Sequence, residues 1–234
     1  MKMSKIAKIC KSYAHVEILN ESVIVPDGMT TWTQEDVETG LVQLAGTQWI
    51  GDGGAFYKMS GLPQIITSTQ WARLYDVAES TMEKYLFEQR ALPLYIDWKD
   101  YALREFTADI YNTTIGYDGR ILRAVYATET PELLLINEEY LAPIDKLYDA
   151  EIRIRHTEKG QPYVCIRQEM ELIAVIMPIA LNATAHNLNM EVELDCMLNA
   201  ISEQIEKSRV QREAKKQEEQ ENAEQSNFDG AADA

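Results

Sequence analysis

The last third of the chain constrains the fold most strongly, because its pattern changes twice. An uninterrupted apolar run, residues 172–179, closes a β-rich segment that begins near Leu133. From His186 onward the apolar residues recur with the period of a helix. After Ile205 the sequence becomes charged and polar on nearly every side. This order predicts a folded body, a docked helix and a solvated tail. The apolar stripe of the helix consists of Met190, Leu194, Met197, Ile201 and Ile205.

Turn residues in the body predict β-hairpins. Residues 47–59 carry aromatic and aliphatic residues on both sides of Gly51–Gly54, which favours a hairpin. A second hairpin is indicated where residues 104–111 and 121–126 flank Tyr117–Arg120. A helix is expected over about 68–87. The recurrence of hairpin and helix suggests two β-rich halves that form a weak internal repeat.

Further strands and a short helix are predicted towards both ends of the body. Alternation predicts two short strands at residues 5–10 and 14–19. Asn137 is expected to cap a short helix over residues 138–148. We also expect Ile176 and Leu194 to face a common core.

These elements predict an α+β fold rich in antiparallel sheet, with a C-terminal amphipathic helix. The expected divisions are a first β-rich half at 1–98, a second at 99–182, the C-terminal helix at 183–212 and a disordered acidic tail at 213–234.

Charge and composition exclude several classes of protein. The formal net charge of −16 argues against a broadly basic nucleic-acid-binding module. The longest apolar run is too short for a membrane span, and no apolar segment follows the basic N-terminus as a secretory signal would require. A cytoplasmic location is therefore expected. Cys10, Cys165 and Cys196 are far apart and lack metal-ligand spacing, so we expect reduced thiols and neither a metal nor a cofactor.

No catalytic signature is present in the sequence. There is no nucleophile elbow and no Walker pattern. The acidic pair Glu138–Glu139 is explained by the dipole of the helix that it begins. Trp32, Trp49, Trp71 and Trp98 could stack on bases or glycans, but their spacing is more typical of core packing. These observations favour a non-enzymatic protein.

Three segments carry a resemblance to a known family. They are Asn137–Leu141, which reads Asn-Glu-Glu-Tyr-Leu, the alternating strand Glu151–Arg155, and Val175–Pro178, which reads Val-Ile-Met-Pro. In this order they resemble the closing module of DNA polymerase sliding clamps, over about residues 133–179. The resemblance implies βαβββ modules arranged as a ring around duplex DNA, and therefore a homo-oligomer.

The same resemblance implies two sites. Met177 and Pro178 would border an apolar groove that binds short peptides of partner proteins. Lys146, Arg153 and Arg155 would contribute to a DNA-facing surface that binds duplex DNA weakly.

The sequence thus favours a non-enzymatic clamp-like binding or processivity factor, and its overall style suggests a phage protein. A phage structural or assembly protein that uses its C-terminal helix for oligomerisation is the alternative. An enzyme with an unfamiliar site is a third class. The distribution of basic residues separates the first two, because a clamp must gather them on one surface.

Overall fold

The computed structural model describes residues 1–144, 149–179 and 188–229. Its helices are α1 Met3–Tyr13, α2 Gln34–Glu38, α3 Ser68–Leu74, α4 Glu79–Met82 and α5 Leu188–Asp229, together with a 3₁₀ helix at Glu138–Leu141. Its strands are β1 His15–Ile24, β2 Gln43–Gly51, β3 Ala55–Lys58, β4 Leu86–Ala91, β5 Glu105–Tyr117, β6 Arg120–Ala127, β7 Leu133–Asn137, β8 Glu151–His156, β9 Pro162–Gln168 and β10 Glu171–Ile176.

All these strands belong to one ten-stranded sheet in the order β4-β1-β2-β3-β10-β9-β8-β5-β6-β7. Every neighbouring pair is antiparallel except β1 and β4, which are parallel. The strands before and after the expected boundary at residues 98 and 99 occupy contiguous parts of this sheet. They are joined by the pairing of β3 with β10. The fold is therefore α+β, as the sequence predicts.

Both expected hairpins are confirmed. Strands β2 and β3 pair around the Gly-rich turn, where Gly53 has φ of 90°. Strands β5 and β6 pair around Asp118 and Gly119, which have φ of 48° and 71°. Such left-handed conformations suit glycine and are tolerated by aspartate, which is why these turn sequences are informative.

The prediction of a strand at residues 5–10 is wrong, because these residues lie in helix α1. The buried positions are Ile6, Ala7, Ile9 and Cys10. Their spacings of three and four residues follow the period of a helix, and the lysines between them point to solvent. A short segment with this composition fits both periods, and burial of one helical face decides between them.

The prediction of one helix over about 68–87 is correct only for its first part. Helix α3 begins after Thr67, whose side chain accepts from the Gln70 N–H in a capping box. After the short α4, residues 86–91 form the edge strand β4, which lies parallel to β1. The helix expected over 138–148 begins as predicted, with the Asn137 side chain accepting from the Glu139 N–H. It is a 3₁₀ helix that ends at Leu141, and residues 145–148 lie outside the described part.

The two faces of the sheet bury separate clusters. One face packs against α1, α3 and the 3₁₀ helix, through residues such as Ile6, Trp71 and Tyr140. On the opposite face, residues 92–98 cover Trp49 and Tyr163, and α5 covers β5, β6 and β7. Our expectation for Ile176 and Leu194 is wrong, because they belong to different clusters on opposite faces.

Helix α5 docks only through its first part. Met197 and Ile201 are buried against the β5–β7 face, and Leu194 and Ile205 are partly buried there. The side chain of Met190 lies outside the described part. The helix continues to Asp229, beyond residue 212, where we expected it to end. Among the helices of the described residues, none combines the length and apolar content needed to cross a membrane.

Candidate binding surfaces

Met177 and Pro178 lie where the chain leaves the sheet and crosses to its edge. Strand β10 ends at Ile176, and the N–H of Met177 donates to the carbonyl oxygen of Gly54 over 2.8 Å. Two residues later, the N–H of Ile179 donates to the carbonyl oxygen of Leu135 in β7 over 2.7 Å. Pro178 donates no backbone hydrogen bond, and its neighbours on both sides fix its position.

An apolar groove of about 520 Å³ lies beside this crossing segment. Its volume falls within the range of sites that hold small ligands or short peptide segments. The polar residues Thr157 and Gln161 come from the β8–β9 turn. The groove is lined by Tyr95, Leu133, Leu134, Leu135, Thr157, Gln161, Pro162, Met177, Pro178, Ile179 and Leu194. The structure therefore brings Met177 and Pro178 together at an apolar concavity.

One wall of the groove is the edge strand β7. The N–H of Ala127 donates to the main-chain carbonyl oxygen of Glu132 over 2.9 Å, and Val125 is the register partner of Leu134. Because hydrogen-bonded pairs alternate along an antiparallel ladder, the backbone groups of Leu133 and Leu135 point away from β6. The bond from Ile179 to the Leu135 carbonyl agrees with this direction. The wall thus presents the backbone groups of Leu133 as well as side chains, while the Leu135 carbonyl is occupied by Ile179.

The expectation that Arg155 faces DNA is wrong, because its side chain is only 1% exposed. Its guanidinium donates to the Glu105 carboxylate and to the carbonyl oxygens of Asp97, Lys99 and Asp100. It therefore holds the loop before β5 against β8. A group with all its donors satisfied inside the protein is not available to a phosphate.

Arg153 is also engaged in contacts within the protein. Its guanidinium donates to the Thr107 hydroxyl over 2.5 Å and to the Glu151 carboxylate over 3.1 Å. Hydrogen bonds from Arg153 and Arg167 hold the pKa of Glu151 below its usual range. Lys146 lies outside the described residues. The described members of the expected DNA-facing set are thus parts of an internal ion-pair network.

A continuous basic surface lies elsewhere, on α1. Lys5, Lys8 and Lys11 are exposed on this helix, which contains no acidic residue. No ion pair forms at any of these three lysines within the described part of the chain. In the sequence these lysines recur every third residue, which places them on one face of a helix. The strand predicted at residues 5–10 would instead have placed them on both faces of a sheet.

A larger cleft of about 890 Å³ is bordered by Trp49 and Trp98. The ring centroids of these tryptophans are 4.9 Å apart, and Trp98 Nε1 donates to the carbonyl oxygen of Pro93. Trp49 is buried with Phe56 and Tyr163. Trp49 therefore belongs to the core and Trp98 is half-buried against it, which supports the core-packing interpretation of these two tryptophans.

The buried cysteines do not provide a nucleophile. Burial raises the pKa of the Cys165 thiol to about 12, and burial also raises the pKa of the Cys10 thiol. Both therefore remain protonated thiols near neutral pH. The Cys10 thiol instead donates to the carbonyl oxygen of Gly51 over 3.4 Å.

Comparisons with models of protein families, with curated proteins and with solved structures find no match to this chain.

Proposed function

We propose that this protein is a non-enzymatic, clamp-like binding factor that holds a short peptide of a partner protein in the groove at Met177 and Pro178. The observation that carries the proposal is the coincidence of an apolar groove with an edge strand. Leu133 directs its backbone groups to the side of β7 that faces away from β6, next to the Leu135 carbonyl that already accepts from Ile179. The proposal keeps the peptide-binding part of the clamp resemblance and not its DNA-facing part, because Arg155 is buried.

The chemistry of the groove specifies the ligand. A peptide lying beside β7 would be extended, because it would pair with the backbone of a strand. Its anchors would be large and apolar, since leucines, Met177 and Pro178 line the groove. Basic residues beside the anchors would suit a protein with a net charge of −16. A few such anchors in a preformed groove give micromolar affinity, about −8 kcal/mol.

The location of the protein in the cell is also part of the proposal. Cys10 and Cys165 are buried in separate clusters on opposite faces of the sheet, and both are free thiols, as is typical of a reducing compartment. We place the protein in the cytoplasm, which is the host cytoplasm if the gene belongs to a phage.

Selection from a library of displayed random peptides tests this proposal. We expect enrichment of sequences with two spaced apolar anchors, and micromolar binding of the corresponding synthetic peptides. Met177→Glu should weaken that binding at least tenfold, because it places a charge in the groove. The matched control is Met170→Glu, since Met170 is 68% exposed in the β9–β10 turn. Equal binding by both variants, with both still folded, would exclude this groove as the site.

Helix α5 favours a second candidate, an assembly protein that oligomerises through this helix. About 35 Å of α5 lies beyond its last docked residue, Ile205. On that part Val210 is 57% exposed. Native mass spectrometry of the full chain and of a chain ending at Glu213 separates the candidates. An oligomer that becomes a monomer on truncation, without a change in melting temperature, would support assembly through α5. A full-length monomer would exclude it.

A further inference from the structure

A cluster of metal-ligating side chains lies far from the groove, where the edge strand β4 meets β1. His15 and Glu17 are two residues apart on β1 and therefore point to the same side of the sheet. Glu17 is the register partner of Glu88 in β4. One ligand atom from each of the three residues lies within 4.8 Å of the other two. No other group of three such residues meets this criterion in the described part of the chain.

The orientation of His15 is fixed from outside the cluster. Its Nδ1 lies 2.8 Å from the main-chain carbonyl oxygen of Asp52, in the β2–β3 turn. A carbonyl oxygen can only accept, so Nδ1 carries the proton of this hydrogen bond. The other nitrogen, Nε2, is thereby directed at the Glu88 carboxylate, 3.0 Å away. A histidine that ligates a metal is held in this manner, because donation from one nitrogen fixes the tautomer and the ring plane.

The two carboxylates are held close together in a partly buried position. The side chain of Glu17 is only 9% exposed. Burial raises the pKa of Glu17, while the Arg90 guanidinium and His15 oppose this effect. The hydrogen bond from Arg90 lowers the pKa of Glu88. A cation placed beside two adjacent carboxylates offsets both their mutual repulsion and the cost of burying them.

Arg90 supplies that cation in the present arrangement. Its Nε lies 3.2 Å from Glu17 and its Nη2 lies 2.7 Å from Glu88. The side chain of Arg90 is 55% exposed, whereas Glu17 is nearly buried. The guanidinium can therefore turn into solvent without repacking of the core, and a smaller cation can take its place.

We propose that His15, Glu17 and Glu88 form a site for a divalent transition metal, with Zn²⁺ as the best fit, which displaces Arg90 when it binds. One imidazole nitrogen and two carboxylate oxygens are ligands that Zn²⁺ accepts. The metal binds at Nε2 and leaves the hydrogen bond from Nδ1 to the Asp52 carbonyl intact. Two carboxylates balance the charge of the divalent ion, and three protein ligands leave one coordination position for water.

A metal in this site would link the edge strand β4 to β1. Strand β4 pairs with β1 only, and that pair is the one parallel pair of the described sheet. A metal shared by the two strands stabilises the folded protein in proportion to its occupancy, because the unfolded chain does not hold the three ligands together. Binding should therefore raise the melting temperature.

Titration of chelator-treated, full-length protein with Zn²⁺ by calorimetry, and with Co²⁺ by visible absorption, tests the proposal. We expect one ion per chain, a rise in melting temperature with Zn²⁺, and a Co²⁺ spectrum of low coordination number. Glu88→Gln and His15→Gln should each weaken binding at least tenfold. Arg90→Ala should strengthen it, since the competing guanidinium is gone.

The matched control is His156→Gln. His156 Nε2 lies 2.8 Å from Glu132, so it forms a histidine–carboxylate pair of similar geometry without belonging to a group of three ligands. This variant should bind like the unchanged protein. Equal binding by the unchanged protein and Glu88→Gln, or loss of binding on His156→Gln alone, would overturn the proposal. Weaker binding by a folded Arg90→Ala variant would also overturn it, since it would make Arg90 a support of the site and not its competitor.

Discussion

The guanidinium of Arg155 lies 2.8 Å from the carboxylate of Glu105, in a part of the body where both side chains are nearly excluded from water. Arg155 is on β8 and Glu105 begins β5, so the pair connects neighbouring strands. Arg167 on β9 lies 3.0 Å from the same carboxylate. One acidic group thus joins three strands, and Arg155 of the alternating segment Glu151–Arg155 is part of the interior of this protein.

Arg155→Ala should destabilise the protein by about 3–5 kcal/mol, because it leaves the buried carboxylate of Glu105 without one of its partners. Arg155→Lys should recover only part of this loss, since an ammonium cannot reproduce the fork of donors that reaches three carbonyl oxygens. Denaturant unfolding measures both effects. The control is Arg104→Ala at an exposed position nearby, which should change the free energy of unfolding by less than about 0.5 kcal/mol.

Local turn chemistry allowed both hairpins to be predicted, because glycine and aspartate specify left-handed backbone without reference to the rest of the chain. The strand β4 could not be predicted in this way. None of residues 86–91 is fully buried, and only pairing with the distant β1 makes them a strand. Parallel pairing requires a long connection, so its register is invisible in local sequence.

Local sequence also limits how much of the candidate sites can be predicted, because it does not show long-range strand pairing. Met177 and Pro178 can be proposed from the sequence because their motif is contiguous. The cluster of His15, Glu17 and Glu88 was missed because it is created by the β1–β4 register. The burial of Arg155 was missed because alternation places a residue on one face of a strand but does not say what covers that face. The loop residues 97–100 that cover it have no regular pattern.

Docking of α5 can be tested by comparing two β-branched residues on the same helix. Ile201 is 4% exposed against the β5–β7 face, whereas Val210 is 57% exposed. Ile201→Ala should cost about 2 kcal/mol or more, since it leaves a cavity. Val210→Ala should be neutral or slightly stabilising, because alanine is the better helix former. Both are measured by denaturant unfolding. Equal effects would mean that α5 does not dock as the structure shows.

Glu151 gives a stability effect with a defined dependence on pH. Its pKa in the folded protein is lowered from 4.5 by hydrogen bonds from Arg153 and Arg167. A lowered pKa means that the folded state favours the ionised form, so the contribution is present above about pH 4.5 and is lost as pH falls through the folded value. Glu151→Gln should therefore be less stable than the unchanged protein near neutral pH.

The stability difference for Glu151→Gln should shrink as the pH is lowered below 4.5. The effect should be modest, because the Glu151 side chain is 53% exposed. Unfolding curves collected at several pH values measure it. Glu158→Gln, an exposed substitution in the turn after β8, is the control against which the pH dependence of Glu151→Gln is compared. A difference for Glu151→Gln that persists unchanged at low pH would contradict the assignment.

The three cysteines should react with a thiol reagent in two separate classes. Cys196 is exposed on α5, whereas Cys10 and Cys165 are buried, and burial raises the pKa of both buried thiols. Since the thiolate is the reactive form, we expect one equivalent to react rapidly with Ellman's reagent near pH 8, and all three only in denaturant. Cys196→Ser should abolish the rapid phase, and Cys10→Ser should leave it unchanged. Rapid reaction of two thiols in the folded protein would show that the sheet opens at α1 or at β9, and the labelled peptide would identify which.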